Sequence, residues 1–580
     1  MVYIYSMYID IIPNRNSAPA ILLRESYREG HKIKKKTIAN ISKWPSNRIL
    51  MLDSLLKGDL DNGKLLDEPP ISGPIFGILH VLKSIADRMK ISSTLGRTRI
   101  AKIAIFLVLA RVATQGSRFS ALKWAEDHAI LETLGLDLIK KDELYNALDW
   151  LADNQNSIEK RLFKTRFNNN QVDMFLYDVT SSYLEGMHNE LADWGYNRDR
   201  KNGKKQIVIG LLTNKDGDPI SISVFEGNTG DTSTVPQQVL TVAKKFNVKN
   251  VTFVGDKGML RGPQIVQLET NGFNYITSIT KKEINKLILN GSFQYDLFSE
   301  IIAEVEEEKE VEINQKNVEG EVIRKKIIKK IRYVLRRNPY RLEEIRNNRN
   351  SKMRKIENFS VDQTNYIRES NRRSPQVALK RVKNKIETYN LDRVFLAEYD
   401  DKNKSIVVKK DLDALQEAEK LDGCYVIKTD LSKCLISKDD IHSCYKNLSK
   451  VERAFKLLKT DFLEIRPIYV RLEKRTRGHV FSCMLAYILL KEMRECLKEK
   501  FMTRDDGLLE CNEKSALEAL SRITLLFHKT EKGGLVPDII APDDRQKKIL
   551  NALNVEIPDL KALKRTIKKL KDRYNALKKK

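Results

Sequence analysis

Three acidic residues in this sequence could perform chemistry as one set. Asp178 and Asp256 each stand at the predicted end of a short apolar strand, and Glu452 lies in a predicted helix over residues 441–459. A strand-end aspartate is often only a helix N-cap. Glu452 could equally form an ordinary helix-surface pair with Lys456. Each signal is weak by itself, but two aspartates ending strands of one sheet can be brought together.

Carboxylates suit hard divalent cations, which prefer oxygen ligands. Two such ions about 3.5–4 Å apart can activate an attacking oxygen and stabilise a leaving one at a phosphodiester. We therefore expect two Mg²⁺ or Mn²⁺ ions. No Ser/His/Asp or Cys/His arrangement competes in the sequence, which also has no GxxxxGK[ST] phosphate loop and no CxxC pair among its six cysteines.

The elements around the two aspartates predict a mixed sheet covered by helices. The order is strand, strand, strand, helix, strand, helix, strand. The predicted segments are residues 172–179, 206–213, 219–225, 232–246, 250–255, 261–271 and 273–279.

The helix that carries Glu452 places it on a stripe with two other polar residues. Seven residues advance about 700° along an α-helix, roughly 20° short of two turns. Tyr445, Glu452 and Lys459 are spaced by seven, so they would share one line beside an apolar face that packs on the sheet.

Changes in the sequence pattern divide the whole chain into six predicted parts. Residues 75–167 are helical in pattern and could hold a helix-turn-helix or be purely structural. A charged block follows the predicted sheet and is interpreted as an insertion into it. The predicted parts are 1–60, β-rich; 61–168, helical and DNA-binding; 169–280, first part of the catalytic core; 281–421, insertion; 422–500, second part of the core; and 501–580, a helical basic region.

The charge points to a polyanionic partner. The 580 residues include 104 Lys and Arg against 78 Asp and Glu, a formal net charge of +26. Nucleic acid is the first candidate for such an excess, although a basic host proteome is an alternative. No apolar run approaches the roughly 18 residues of a membrane helix. The first twelve residues contain Asp10 and lack a basic segment, so a signal peptide is not expected.

The strand order and the three acids resemble the core of DDE transposases. The stripe Tyr445-x6-Glu452-x6-Lys459 resembles the Tyr-Arg-Glu-Lys signature of one bacterial insertion-sequence group, except that Leu448 stands where the Arg is expected. Longer stretches strengthen the resemblance. They are IPNRNS (12–17), LLRESY (22–27), YDVTS (177–181), KQIVIGLL (205–212), VFEGNT (224–229), DGCYVIKT (422–429), VERAFK (451–456), IRPIY (465–469) and RGHV (477–480).

This resemblance implies an α/β fold: an RNase H-like mixed five-stranded sheet flanked by helices, interrupted by a β-rich insertion, with an N-terminal β/helical DNA-binding region. It implies a cytoplasmic, nucleoid-associated enzyme that cuts transposon ends and joins them to target DNA. Its partners would be double-stranded DNA and a second copy of the chain.

In this interpretation Asp178, Asp256 and Glu452 are the catalytic and metal-binding residues. The residues expected to contact DNA are Tyr445, Arg453, Lys456, Lys459, Arg466, Arg477 and His479. Two alternatives stay open: an RNase H-like nuclease without strand transfer, and a DNA-binding regulator without catalysis.

Overall fold

The computed structural model of this chain divides it into two compact units, residues 1–147 with 489–580 and residues 148–488. The boundaries fall within two long helices. The residues that the structure describes are 6–13, 19–29, 32–45, 48–49, 52–53, 56, 69–167, 172–186, 188–196, 198, 201, 203–246, 248, 251–293, 302–316, 322–370, 372–465, 469–503, 509–529 and 535–559. The predicted basic tail at 561–580 and most of a predicted helix at 46–56 lie outside them.

The described strands, in chain order, are β1 (Ser6–Ile12), β2 (Ala20–Glu29), β3 (Lys32–Asn40), β4 (Ile71–Ile75), β5 (Met174–Tyr183), β6 (Gln206–Asn214), β7 (Pro219–Phe225), β8 (Thr252–Val254), β9 (Asn274–Ser278), β10 (Ile302–Lys316), β11 (Val322–Arg337), β12 (Phe395–Asp400), β13 (Ser405–Lys410), β14 (Cys424–Thr429), β15 (Thr524–Lys529) and β16 (Leu535–Ile539).

The described α-helices are α1 (Gly77–Arg88), α2 (Ile91–Leu95), α3 (Arg99–Thr114), α4 (Arg118–Glu126), α5 (Ile130–Leu134), α6 (Lys141–Phe167), α7 (Asp231–Leu240), α8 (Gly262–Thr270), α9 (Lys281–Leu289), α10 (Pro339–Arg368), α11 (Pro375–Thr388), α12 (Leu412–Lys420), α13 (Lys438–Lys446), α14 (Leu448–Lys456), α15 (Glu473–Lys500), α16 (Glu513–Leu520) and α17 (Asp544–Ala552). Two π-helical turns lie at Thr241–Lys245 and Leu457–Asp461.

The unit formed by the two chain ends has two small sheets. One is the antiparallel sheet β1-β2-β3, as expected from the sequence. The other joins β4 to β15 and β16, so strands separated by more than 400 residues pair. Among the described residues, no single helix is long and apolar enough to span a membrane, and only α3 and α4 taken together, bent by 90°, pass that test of length and composition.

The second unit is built on one large sheet of order β10-β11-β14-β9-β8-β5-β6-β7. Strands β5, β8 and β9 are parallel to one another, and the remaining pairs are antiparallel. Every residue of β6 is buried, as expected for an inner strand covered on both faces. One face packs aromatic residues of three strands, Phe175, Tyr177, Phe253 and Tyr275, against Val235 and Val239 of α7.

Four sequence-based expectations need correction here. The sheet has eight strands instead of five, because the hairpin β10–β11 pairs with β14 and extends it. The segment 281–421 is therefore partly a continuation of the sheet, and it contains the long helices α10 and α11, so it is mixed instead of β-rich. The predicted helix at 118–134 is two helices, α4 and α5. The predicted helix at 441–459 is α13, α14 and a π-helical turn.

The pairing of β11 with β14 was not evident from the sequence, and this has a physical reason. Strand β11 is rich in Lys and Arg, so its sequence indicates a strand exposed to solvent. Its alternate residues Ile331, Tyr333 and Leu335 are nevertheless buried, and they pack with Val426 of β14. Arg332 and Val334 on the other face are buried as well, and Arg332 pairs with Glu304, so this part of β11 is covered on both faces.

Candidate active site

The sheet places the two aspartates side by side. Strands β5 and β8 are parallel, with Leu176 opposite Val254. Two residues further along the chain stand Asp178, within β5, Asp256, just beyond the end of β8, and Ser278, the last residue of β9. Side chains two residues apart point to the same face of a sheet. Asp178 is in the middle of β5, not at its end as expected, but its parallel neighbour β8 stops at Val254 and leaves it uncovered on that side.

Tyr445 at the end of α13 reaches this level. Its hydroxyl lies 2.8 Å from Ser278 Oγ and 3.2 Å from Asp256 Oδ1. A phenol can donate one hydrogen bond and accept another, so it can donate to the carboxylate while it accepts from the serine. Burial, together with the negative charge of Asp256, raises the pKa of Tyr445. The hydroxyl therefore stays protonated and available to hold Asp256.

Helix α14 brings the third acid to the site. It packs on β5, and its buried residues are Val451, Ala454 and Phe455. Glu452 lies on the exposed side of the same helix. The α-helix is interrupted at Asn447, between the end of α13 and the start of α14, so the seven-residue stripe does not lie on one continuous α-helix. Tyr445, Glu452 and Lys459 still line one cleft together.

Asp178 feels both other carboxylates. Burial, with smaller contributions from the negative charges of Glu452 and Asp256, raises the pKa of Asp178 to about 7, while the backbone N–H of Val179 and the guanidinium of Arg198 act in the opposite direction. The Val179 N–H donates to Asp178 Oδ1 at 2.8 Å. The three acids therefore form one electrostatic group in which like charges oppose one another.

The donor set suits divalent cations. Asp178, Asp256 and Glu452 line a cleft of about 1250 Å³ and offer only oxygen ligands. In the parts of the chain that the structure describes, no three His, Cys, Asp or Glu side chains form a compact metal-binding group. The fit thus rests on donor chemistry and on the repulsion between these carboxylates, which a bound cation would relieve.

Cations from several elements line the same cleft. Lys456 and Lys459, expected from the sequence, are among them. The sequence interpretation did not find the others: Arg198, Lys257, Lys281, Arg336, Arg341 and Lys446. Lys257 directly follows Asp256 and Lys446 directly follows Tyr445, whereas Arg198, Lys281, Arg336 and Arg341 come from distant segments that no local spacing connects to the acids. Together they make a cleft that is acidic at the three carboxylates and basic around them.

Arg198 is a missed residue whose contacts lie beside Asp178. Its guanidinium donates to the backbone oxygen of Val179, the residue after Asp178, and pairs with the carboxylate of Asp231. Its own backbone N–H donates to Ser181 Oγ at 3.0 Å. These contacts orient a cation beside Asp178.

The remaining expected DNA contacts lie elsewhere. Arg453 is exposed on α14 and does not line the cleft. Arg477 donates to the backbone oxygen of Val224 at 2.8 Å and pairs with Glu473. His479 is buried, with its Nε2 3.1 Å from the backbone oxygen of Ile465. Arg466 falls outside the described residues.

Comparisons with known proteins then place the chain in a family. No curated protein matches it. The chain is similar to a cryo-EM structure of a piggyBac transposase synaptic complex with hairpin DNA, at 9% identity over 85% of this chain and 82% of that chain, with a TM-score of 0.31. That similarity is too weak to support an argument. The family model "Transposase DDE domain" matches residues 173–489, more than half of the chain and all of the cleft described above. The chain therefore belongs to the family of proteins with a transposase DDE domain.

Proposed function

We propose that this chain cuts DNA at the ends of a transposon and joins the freed ends to target DNA, using an RNase H-like core. The observation that carries the proposal is the convergence in one cleft of Asp178 on β5, Asp256 just after the neighbouring parallel strand β8, and Glu452 on a helix packed across β5. The order of the five strands β7-β6-β5-β8-β9 is the one expected of such a core. The family match over these residues supports the same activity.

In this proposal Asp178, Asp256 and Glu452 hold two Mg²⁺ or Mn²⁺ ions. Bound ions of this kind activate the attacking oxygen and stabilise the leaving oxygen at a phosphodiester. The chain's own residues position these groups: Tyr445 holds Asp256, and the ammonium groups of Lys456 and Lys459 face the cleft, where they can contact phosphate oxygens. Leu448 also lines the cleft and offers no charge, so these lysines and Arg198 would supply the cations.

The proposed partners are double-stranded DNA, as terminal repeats and as target, and a second copy of the chain in the paired-end complex. The net charge of +26 and the cations around the acids support a polyanionic substrate. Contacts from Arg453, Arg466 and Arg477 to DNA outside the cleft remain part of the proposal, whereas the burial of His479 removes that side chain from it.

The first experiment tests the site. The full-length chain is incubated with Mg²⁺ and a duplex that carries the DNA flanking its gene. We expect Asp178→Asn to lower cleavage by at least roughly a thousandfold while duplex binding is kept. The matched control is Asp173→Asn, which alters an exposed carboxylate at the start of the same strand region and should cut normally. Cleavage by Asp178→Asn at the control rate would refute the site assignment.

The second experiment separates transposition from simple hydrolysis. The same reaction receives a target plasmid, and joined products are measured by gel and sequencing. Joined end–target DNA is expected wherever cleavage occurs. Cleavage without any joined product would favour a nuclease, and binding without cleavage would favour a regulator.

A further inference from the structure

The loop that joins β5 to β6 holds two large rings in solvent. Trp194 is 55% exposed and Tyr196 is 86% exposed. Single exposed apolar side chains are common on any protein. Two rings within three residues, next to a cation that lines the cleft, form a more specific feature that the packing of the core does not require.

The backbone beneath these rings is held firmly. Asp193 and Gln206 exchange backbone hydrogen bonds of 3.1 and 3.0 Å. The Gln206 side-chain amide donates to the backbone oxygens of Tyr196 at 3.2 Å and Gly227 at 2.9 Å. A Cβ on Gly195 would lie only 2.2 Å from the oxygen of Gly227, so the two main chains touch. The rings are therefore presented on an ordered backbone, which lowers the entropic cost of binding.

The same loop leads directly to the carboxylates. Two residues after Tyr196, Arg198 contacts the backbone of Val179 and lines the cleft with Asp178. The sequence from Arg198 to Lys205 contains five Arg or Lys against one acid, Asp199. An occupant of this surface must therefore suit aromatic rings at one end and a cluster of cations at the other.

We infer that Trp194, Tyr196 and Arg198 together bind unpaired nucleotides of the DNA strand that enters the carboxylate cleft, with the rings stacked on bases and Arg198 directed at the backbone. This deepens the proposed function and rests on it for the presence of DNA in the cleft. Cations alone suffice to hold duplex phosphates. Exposed rings stack only on bases that are free of the helix, as they are at a frayed or broken end. The positive charge of the loop favours DNA over an uncharged protein partner.

The test uses the full-length chain in EDTA, so that binding is measured without cleavage. Two probes are compared by fluorescence anisotropy: a blunt duplex, and the same duplex with a short single-stranded thymidine overhang that carries one 2-aminopurine. The variants are Trp194→Ala, the Trp194→Ala/Tyr196→Ala double variant and Trp194→Phe. The control is Tyr469→Ala, which removes an exposed ring from elsewhere in the same unit. Circular dichroism confirms that each variant is folded.

Wild type should bind the overhang probe more tightly and quench its 2-aminopurine. Each ring removed should weaken overhang binding by about tenfold and leave blunt-duplex binding within about twofold, since base–aromatic stacking is worth about 1–3 kcal/mol per base. Trp194→Phe and Tyr469→Ala should keep the preference. The inference is overturned if wild type shows no preference, if the double variant keeps it, or if both probes weaken equally. If wild type shows this overhang preference but does not cut DNA when Mg²⁺ is supplied, the proposed chemistry is rejected and the inference about this surface stands.

Discussion

Replacing Asp178 by asparagine should stabilise the metal-free protein at neutral and alkaline pH. Asparagine has nearly the same shape, and its amide oxygen can still accept the Val179 N–H that Asp178 Oδ1 accepts at 2.8 Å. What disappears is a negative charge that is half-buried beside Glu452 and Asp256. The variant that destroys the proposed activity should therefore be the more stable protein, as expected where like charges are held together for function.

The magnitude follows from the pKa of Asp178. A rise from 3.8 to about 7 corresponds to roughly 4 kcal/mol, at about 1.36 kcal/mol per pH unit. The native state holds this proton between those two pH values while the unfolded chain has lost it, so stability falls as pH rises through that window. The penalty is absent below about pH 4 and complete above about pH 7. The advantage of the asparagine variant should grow from near zero below about pH 4, through roughly 1.6 kcal/mol at pH 5, to its maximum, at most roughly 4 kcal/mol, at pH 8.

The assay is thermal unfolding of both proteins in EDTA at several pH values, with Asp173→Asn as the control. The melting temperature of Asp178→Asn should exceed that of wild type by several degrees at pH 8 and by little at pH 4. Added Mg²⁺ should raise the melting temperature of wild type more than that of the variant. A variant less stable than wild type at pH 8, or a difference that does not change with pH, would refute the electrostatic reasoning.

Three further predictions concern single contacts. Tyr445→Phe removes the hydroxyl 3.2 Å from Asp256 Oδ1, and should lower single-turnover cleavage by about tenfold, equivalent to one lost hydrogen bond of about 1.4 kcal/mol. Gly227→Ala would place a Cβ 2.0 Å from the backbone oxygen of Gln206, and should lower the unfolding midpoint and loosen the loop before β6 in hydrogen exchange. Glu159→Gln leaves Lys245, whose side chain is only 14% exposed, without its counter-charge. We expect it to lower the free energy of unfolding measured in urea by about 3–5 kcal/mol.

Each of these has its own control. Gly186→Ala places a Cβ where no atom lies within 4 Å, so it should leave the midpoint unchanged and shows what a glycine substitution costs by itself. The exposed pair of Lys409 and Glu398 provides the comparison for the buried one, because such pairs are worth about 0–1 kcal/mol. Equal losses at the buried and exposed pairs would contradict the argument from burial. Normal cleavage by Tyr445→Phe would show that Asp256 needs no such support.

Much of the second unit could be predicted locally. Strands β5, β6, β7, β8 and β9 and the helices between them lie close to their expected positions, because their apolar runs are short, continuous and bounded by turn residues. The hairpin β10–β11 was expected as strands but not as part of the sheet. Its pairing with β14 joins residues about ninety positions apart, and no local pattern reports which edge a strand will meet.

The candidate site was predicted in part for the same reason. The three acids could be proposed because residue type, strand position and helical spacing are local properties, strengthened by a resemblance to a known family. The cation beside them could not, because Arg198 reaches Val179 and Asp231 through the fold, across 19 and 33 positions in the chain. The reverse holds for His479. Its sequence context suggested a contact with phosphate, but the fold buries its side chain against a backbone oxygen.

The sequence by itself determined which residues could hold cations, which segments would be strands, and that the chain carries an excess of positive charge. These follow from composition and short-range periodicity. Only the tertiary structure decided that Asp178 and Asp256 line one cleft, that the Tyr445 hydroxyl reaches Asp256, and that Trp194 and Tyr196 remain outside the core. These depend on strand register and on contacts between distant segments, and the energy of such contacts exists only once the chain has folded.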